Sequence, residues 1–204
     1  MRSTKIFCIG LNKTGTSSLE LVLESMGYRL GDQSAAEAKF GRWVKRDFRW
    51  LAEFCKTADA FQDAPFSFPF TFVYLDQLFP KSKFILTERE SADRWYESVV
   101  RFHQLIASLE PGIHYQFPYV VSRLFGTDQS DPYEREMAIA YYEQHNAVVK
   151  SYFRYRPHDL LVLNVGSKGS LRVLEAFLGR KSTYDEFPKI RPFVMATPSD
   201  TSDT

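Results

Sequence analysis

Cysteine is nearly absent from this chain: Cys8 and Cys55 are the only two among 204 residues. That excludes a disulfide framework and a metal site built from several thiolates, and a reducing compartment is the simpler expectation. Net charge is equally scarce. The 26 Lys and Arg are offset by 25 Asp and Glu, leaving a formal charge of +1. This excludes a disordered polyelectrolyte and argues against nucleic-acid binding through bulk charge, while leaving room for a local basic pocket that holds a small anion. No apolar run approaches the roughly 20 residues needed to span a bilayer, and the N-terminus lacks the basic-then-apolar pattern of a secretory signal. The expectation is a soluble, cytoplasmic protein with no membrane span and no nucleic-acid partner.

Aromatic side chains are abundant: 18 Phe, 11 Tyr and 3 Trp. Thirteen of them fall between Phe40 and Phe84, a density that packs a core and can also wall a pocket for a flat ligand. At roughly 150 residues per domain, the length predicts a single domain over 1–204, with the small polar residues 196–204 as a frayed tail.

The apolar runs are short. Lys5 to Leu11 (KIFCIGL) reads as a strand buried on both faces, Lys83 to Thr87 (KFILT) as another short buried strand, Leu160 to Val165 (LLVLNV) as a third strand, and Ala60 to Gln62 as a weaker one. Helical spacing is predicted from Thr16 to Met26 with Gly27 as the stop, over 34–58 in two pieces, and from Phe70 to Phe79 before Pro80. Further helices are predicted from an N-cap at Ser91 through Ile106, from Glu134 to about Tyr155 after a start at Asp131 and Pro132, and over Ser170 to Leu178 before Gly179. Residues 111–130 have no clear period. Short strands alternating with helices predict an α/β fold: three layers, α/β/α, around a central parallel sheet.

In such sheets ligands bind beyond the carboxyl ends of the strands. The first of those loops reads Gly10-Leu11-Asn12-Lys13-Thr14-Gly15-Thr16-Ser17-Ser18. A helix N-terminus there offers unpaired backbone N–H groups and the positive dipole end, Gly15 lets the backbone curl around phosphate oxygens, and the three hydroxyls add donors. Gly10 and Gly15 have the glycine spacing of a nucleotide-kinase P-loop, but Thr16 stands where its lysine belongs. The lysine is Lys13, inside the loop.

K-x-G-T-[ST]-x-L after an apolar strand resembles the 5′-phosphosulfate loop of sulfotransferases that use 3′-phosphoadenosine 5′-phosphosulfate, PAPS. Strand KFILT followed by Glu88-Arg89 and a helix with Trp95, Tyr96 and Ser98 is similar to the segment in which that family holds the 3′-phosphate. Arg89 and Ser98 stand nine residues apart against eight in the family's pattern, and Ser91 is the alternative hydroxyl. Tyr142 to Asn146, Tyr152-Phe153 and Leu174 to Gly179 extend the resemblance, toward a compact, largely bacterial subfamily with a P-loop-like fold. Gly166-Ser167-Lys168-Gly169 is placed like the family's basic loop over the 3′-phosphate, which makes Lys168 a candidate.

The resemblance implies a PAPS-dependent transferase that moves the sulfuryl group in line to a hydroxyl or amine, releases the bisphosphate PAP and requires no metal. Lys13, Thr14, Gly15, Thr16, Ser17 and Ser18 would bind the phosphosulfate, and Arg89, Ser98 and Lys168 the 3′-phosphate. Lys13 would also stabilise the leaving oxygen. Asp63, in Phe61-Gln62-Asp63-Ala64-Pro65, resembles the catalytic histidine of the family's K-T-H-x-P segment with Asp in its place and Phe61 where that segment has lysine. Glu88 and His145 are next in line as base, although His145 reads first as a structural helix residue. The acceptor would be a small molecule or carbohydrate, with Phe66, Phe68, Phe70, Tyr115, Phe117 and Tyr119 lining its pocket or packing the core. A metal-dependent P-loop kinase, with Asp63 and Thr16 on Mg²⁺, and an inactive nucleotide-binding scaffold are the alternatives.

Overall fold

The computed structural model describes residues 4–108, 122–128 and 133–190. Its centre is strand β1 (Ile6–Cys8), which pairs in parallel with β2 (Ala60–Phe61) on one side and β3 (Lys83–Thr87) on the other. Strand β4 (Leu160–Leu163) joins β3, again in parallel, giving the order β2-β1-β3-β4.

Alternation along β1 sends successive side chains to opposite faces. Phe7 enters a cluster with Phe61, Phe84 and the helices α4 (Arg49–Phe54), α5 (Thr71–Leu78) and α7 (Arg135–Phe153). Ile6 and Cys8 enter a second cluster with α1 (Thr16–Ser25) and α8 (Ser170–Leu178). Helices therefore cover both faces, and the three-layer α/β/α class read from the sequence holds. The aromatic density is largely core: the Phe7 ring lies 5.5–6.3 Å from those of Phe61, Phe66, Phe79 and Phe84.

Several boundaries differ from the sequence reading. The first strand ends at Cys8 rather than Leu11; Ile9 N–H still donates to the Ile85 carbonyl at 2.8 Å, and the chain then leaves the sheet at Gly10. The 34–58 segment forms three helices, not two: α2 (Gln33–Glu37), α3 (Phe40–Val44) and α4. Arg46 in the left-handed region (φ 59°) ends α3, and Asp47 accepts from both Arg42 and Arg49, holding the bend. Phe70 does not begin α5; it is the left-handed residue before it and is 63% exposed. Strand β4 ends at Leu163 rather than Val165, and as an edge strand it leaves Val162 exposed. Ser91 caps α6 (Ala92–Ser108) as expected, accepting from the Arg94 N–H at 3.2 Å. The start expected at Asp131 and Pro132, the tail 196–204, and Tyr115, Phe117 and Tyr119 lie outside the described residues. No helix among the described residues is long and apolar enough to cross a membrane.

Gly10 is fixed by proximity rather than by a turn. A Cβ there would fall on the Thr87 hydroxyl and within 2.5 Å of the Thr87 backbone N and O. Gly10→Ala should destabilise the fold by about 3 kcal/mol, lowering the thermal midpoint by roughly 6–12 °C. An unchanged midpoint in a melting experiment would show that β1 and β3 can part at this point.

Candidate functional site

The ends of β1, β2 and β3 bring together the loop after β1, Asp63 and Arg89. Gly15 is the N-cap of α1 at φ 104°; no side chain caps the helix and no acid occupies its first turn. Backbone N–H groups from Lys13 to Ser18 have no hydrogen-bond partner among the described residues. A helix start leaves such donors unsatisfied, and with the dipole they form a cradle for an anion. A phosphate or sulfate group fits this cradle for that reason. The β4–α8 turn closes one side: a Cβ on Gly15 would meet Val165 at 3.0–3.2 Å.

Carbonyls of the same loop are tied to other elements, which turns its N–H groups inward. The Arg89 Nε–H donates to the Lys13 carbonyl at 2.7 Å, and the Trp95 indole to the Asn12 carbonyl at 3.0 Å. The Thr14 hydroxyl donates to the Leu11 carbonyl and accepts from Thr87, both at 2.5 Å. Thr14 therefore holds the loop with its side chain and presents its N–H to a ligand. Ser17 is exposed and Ser18 half-buried at the first turn of α1.

Lys13 takes a left-handed backbone (φ 66°) and lays its Nζ 4.2 Å from the centre of the Phe102 ring. Burial, together with the neighbouring Arg89 and Arg101, lowers its affinity for the proton, and Asp63 opposes that shift. Asp63 is also left-handed (φ 57°). Its Oδ1 accepts from the Ala64 N–H at 2.8 Å and its Oδ2 from the Thr16 hydroxyl at 3.1 Å. Burial raises its pKa above the ordinary aspartate range; the bonds from Ala64 and Thr16 lower it, Glu37 raises it and Lys13 lowers it.

Only the Nε of Arg89 is spent on the loop, which leaves its two amino groups for an anion. Ser98 lies one turn beyond Trp95 and one turn before Phe102. Both neighbours touch the loop, so Ser98 shares their side of α6. Ser91, by contrast, serves as the cap. Lys168 is exposed on the turn beyond β4. Glu88 is ion-paired to Lys150 at 2.7 Å. His145 donates from Nε2 to the Ile9 carbonyl at 2.9 Å, and burial lowers its pKa, so it is a neutral tie between α7 and the end of β1. No cluster of three or more His, Cys, Asp or Glu suited to a metal ion occurs among the described residues.

Beside Asp63 a narrow cleft opens between the loop, α6 and α7. Phe68 and Trp95 line it; Phe66 lies in the core instead. The sequence reading did not place Phe102, Arg101 or Tyr141 here, and it used Tyr142 only for the resemblance; the Tyr142 hydroxyl accepts from the Arg89 N–H at 2.9 Å. The i, i+3, i+7 run Trp95, Ser98, Phe102 was the available signal.

A comparison with family models matches residues 5–192 to one described as a sulfotransferase domain. A comparison with curated proteins finds no match.

Proposed function

The chain belongs to the sulfotransferase domain family, and from that premise we propose that it transfers the sulfuryl group of PAPS to a hydroxyl or amine of a small-molecule acceptor. The observation that carries this reading is the hydrogen bond between Thr16 and Asp63. It ties a carboxylate from the end of β2 to the first turn of an uncapped helix, so an anion in the loop and a proton acceptor share one site.

In this reading the free N–H groups of Thr14 to Ser18 hold the 5′-phosphosulfate, while Arg89, Ser98 and Lys168 hold the 3′-phosphate. Asp63 removes the acceptor proton as the acceptor oxygen or nitrogen bonds to sulfur. The bond from sulfur to the 5′-phosphate oxygen breaks, and Lys13 with the loop donors stabilises the charge left on that oxygen. The proton passes from Asp63 to solvent and PAP departs.

The Thr16–Asp63 pair is also what a metal-dependent phosphotransferase would use to hold Mg²⁺, so the test separates the two. Sulfate transfer from labelled PAPS to an acceptor library is expected, and it should survive EDTA. Phosphate transfer from ATP that requires Mg²⁺, without sulfate transfer, would overturn the reading.

Arg89 has two duties that can be told apart. Arg89→Ala releases the Lys13 carbonyl, which weakens every loop ligand alike, and it also removes the fork assigned to the 3′-phosphate. By calorimetry, PAP should lose roughly 10–100-fold in affinity while 5′-AMP loses much less. Equal losses would take the 3′-phosphate away from Arg89.

A further inference from the structure

We propose that the corner where α3 meets the start of α5, with the exposed Phe70 beside the cations of residues 39–49, docks the protein on an anionic lipid surface. This goes beyond the transferase reading and does not depend on it.

The whole chain is close to neutral, with a formal charge of +1, yet between residues 39 and 49 Lys39, Arg42, Lys45, Arg46 and Arg49 are accompanied by a single carboxylate, Asp47. All of these cations are exposed. Arg42 and Arg49 share Asp47, at 2.7 and 2.9 Å, while Lys39, Lys45 and Arg46 have no acidic partner among the described residues. Glu37, the acid just before them, accepts from Gln33, which also bonds the Ala64 carbonyl on the side of the cleft. The excess positive charge is therefore local and uncompensated. Each Lys or Arg held near anionic headgroups strengthens binding roughly five-fold.

Phe70 is the only exposed phenylalanine among the described residues, and its backbone is left-handed at φ 58°. A bulky side chain keeps that conformation only where its surroundings impose it. Here they do: the Trp43 indole donates to the Thr71 hydroxyl at 2.8 Å, and the Phe70 carbonyl accepts from the Val73 N–H at 3.1 Å. Trp43 also carries the Arg46 guanidinium 4.9 Å from its ring centre, and Phe48 packs on Tyr74 of α5 at 5.6 Å. Those contacts put Phe70 and the cations on one corner of the molecule. A ring held out beside cations suits a bilayer interface, where the charges meet headgroups and the ring enters the acyl boundary. A single-stranded nucleic acid would instead call for successive rings along a groove, and here one ring stands alone. Phe68, which lines the cleft beside Asp63, meets Trp43 edge-on at 4.8 Å, so docking brings the cleft close to the lipid.

The test is co-sedimentation of the full chain with vesicles of phosphatidylcholine, pure or containing about 30% phosphatidylglycerol, alongside filter binding to poly(U). Wild type should bind the anionic vesicles more than roughly ten-fold more tightly than the neutral ones, and an ionic strength of about 0.5 M should remove the difference. Lys39→Ala combined with Lys45→Ala should weaken binding to anionic vesicles roughly 25-fold, and Phe70→Ala roughly ten-fold. Tyr155 is also an exposed ring, but it lies toward the far end of α5, where its neighbour Arg156 pairs with Asp76. Tyr155→Ala should bind like wild type. The substituted side chains are exposed, so the melting midpoints should not move. Equal wild-type binding to both vesicles, or none, would overturn the proposal, as would wild-type affinity in the double variant or in Phe70→Ala. An equal loss in Tyr155→Ala, or a lowered midpoint in Phe70→Ala, would overturn it too. Binding to poly(U) and not to vesicles would replace the lipid with a nucleic acid.

Discussion

Asp63→Asn should lower the single-turnover rate of sulfate transfer by about two to four orders of magnitude while leaving PAPS affinity nearly unchanged. Asparagine preserves size and tolerates the left-handed backbone that Asp63 adopts (φ 57°). Its Oδ1 can still accept from the Ala64 N–H, and the Thr16 hydroxyl can turn to accept from the new amide. What disappears is the ability to take a proton. Because burial raises the Asp63 pKa, the acid limb of the wild-type profile of kcat/KM against pH should lie above the ordinary aspartate range, and the variant should lack that limb. Near-normal single-turnover rates in the variant would move the base elsewhere.

The same substitution should stabilise the protein. A raised folded pKa means that the folded chain binds this proton more tightly than the unfolded chain. Stability is therefore undiminished below the unfolded aspartate's titration, falls as pH rises through the interval up to the folded value, and is lowest above it. Asp63→Asn should raise the melting midpoint near neutral pH, by roughly 2–4 °C for each 1 kcal/mol of relieved desolvation. At pH below the unfolded titration the two proteins should melt alike. A gain in stability coupled to a loss of rate distinguishes a strained functional carboxylate from a loop-capping one, whose removal costs stability instead.

Lys13→Ala should cost about two to three orders of magnitude in kcat, with a smaller effect on the affinity for PAP. The alanine keeps a Cβ, so the left-handed backbone at φ 66° is no more strained than before. The loss of the contact with Phe102 removes only about 0.5–1 kcal/mol of stability. Burial and the neighbouring arginines lower the Lys13 pKa, so the wild-type rate should fall on the alkaline side below the usual lysine range, and Lys13→Ala should lose that limb. An unchanged kcat would remove Lys13 from the mechanism.

The fold class was legible because burial on both faces of a parallel sheet leaves a local mark. Phe7 is in one core and Ile6 and Cys8 are in the other, so the run is apolar at every position. The loop after β1 was legible for a similar reason: Lys13, Gly15 and Thr16 are neighbours in sequence, and a helix start needs no distant partner to present its N–H groups. Helix boundaries in 34–58 were not, because the break at Arg46 is held by Asp47 reaching to both sides, a choice among many available ion pairs.

By itself, the sequence determined a parallel α/β fold, a lysine-bearing loop at the end of its first strand, and Asp63 and Arg89 at later strand ends. Only the tertiary structure decided how these meet. The order β2-β1-β3-β4 places the ends of β2 and β3 on either side of the loop. Thr16 can thus reach Asp63, Arg89 can reach the Lys13 carbonyl, and His145 can reach Ile9. Those contacts join residues 47, 76 and 136 positions apart. Local periodicity records which face of each segment is buried; which segments become neighbours depends on the strand order that packs all those faces at once.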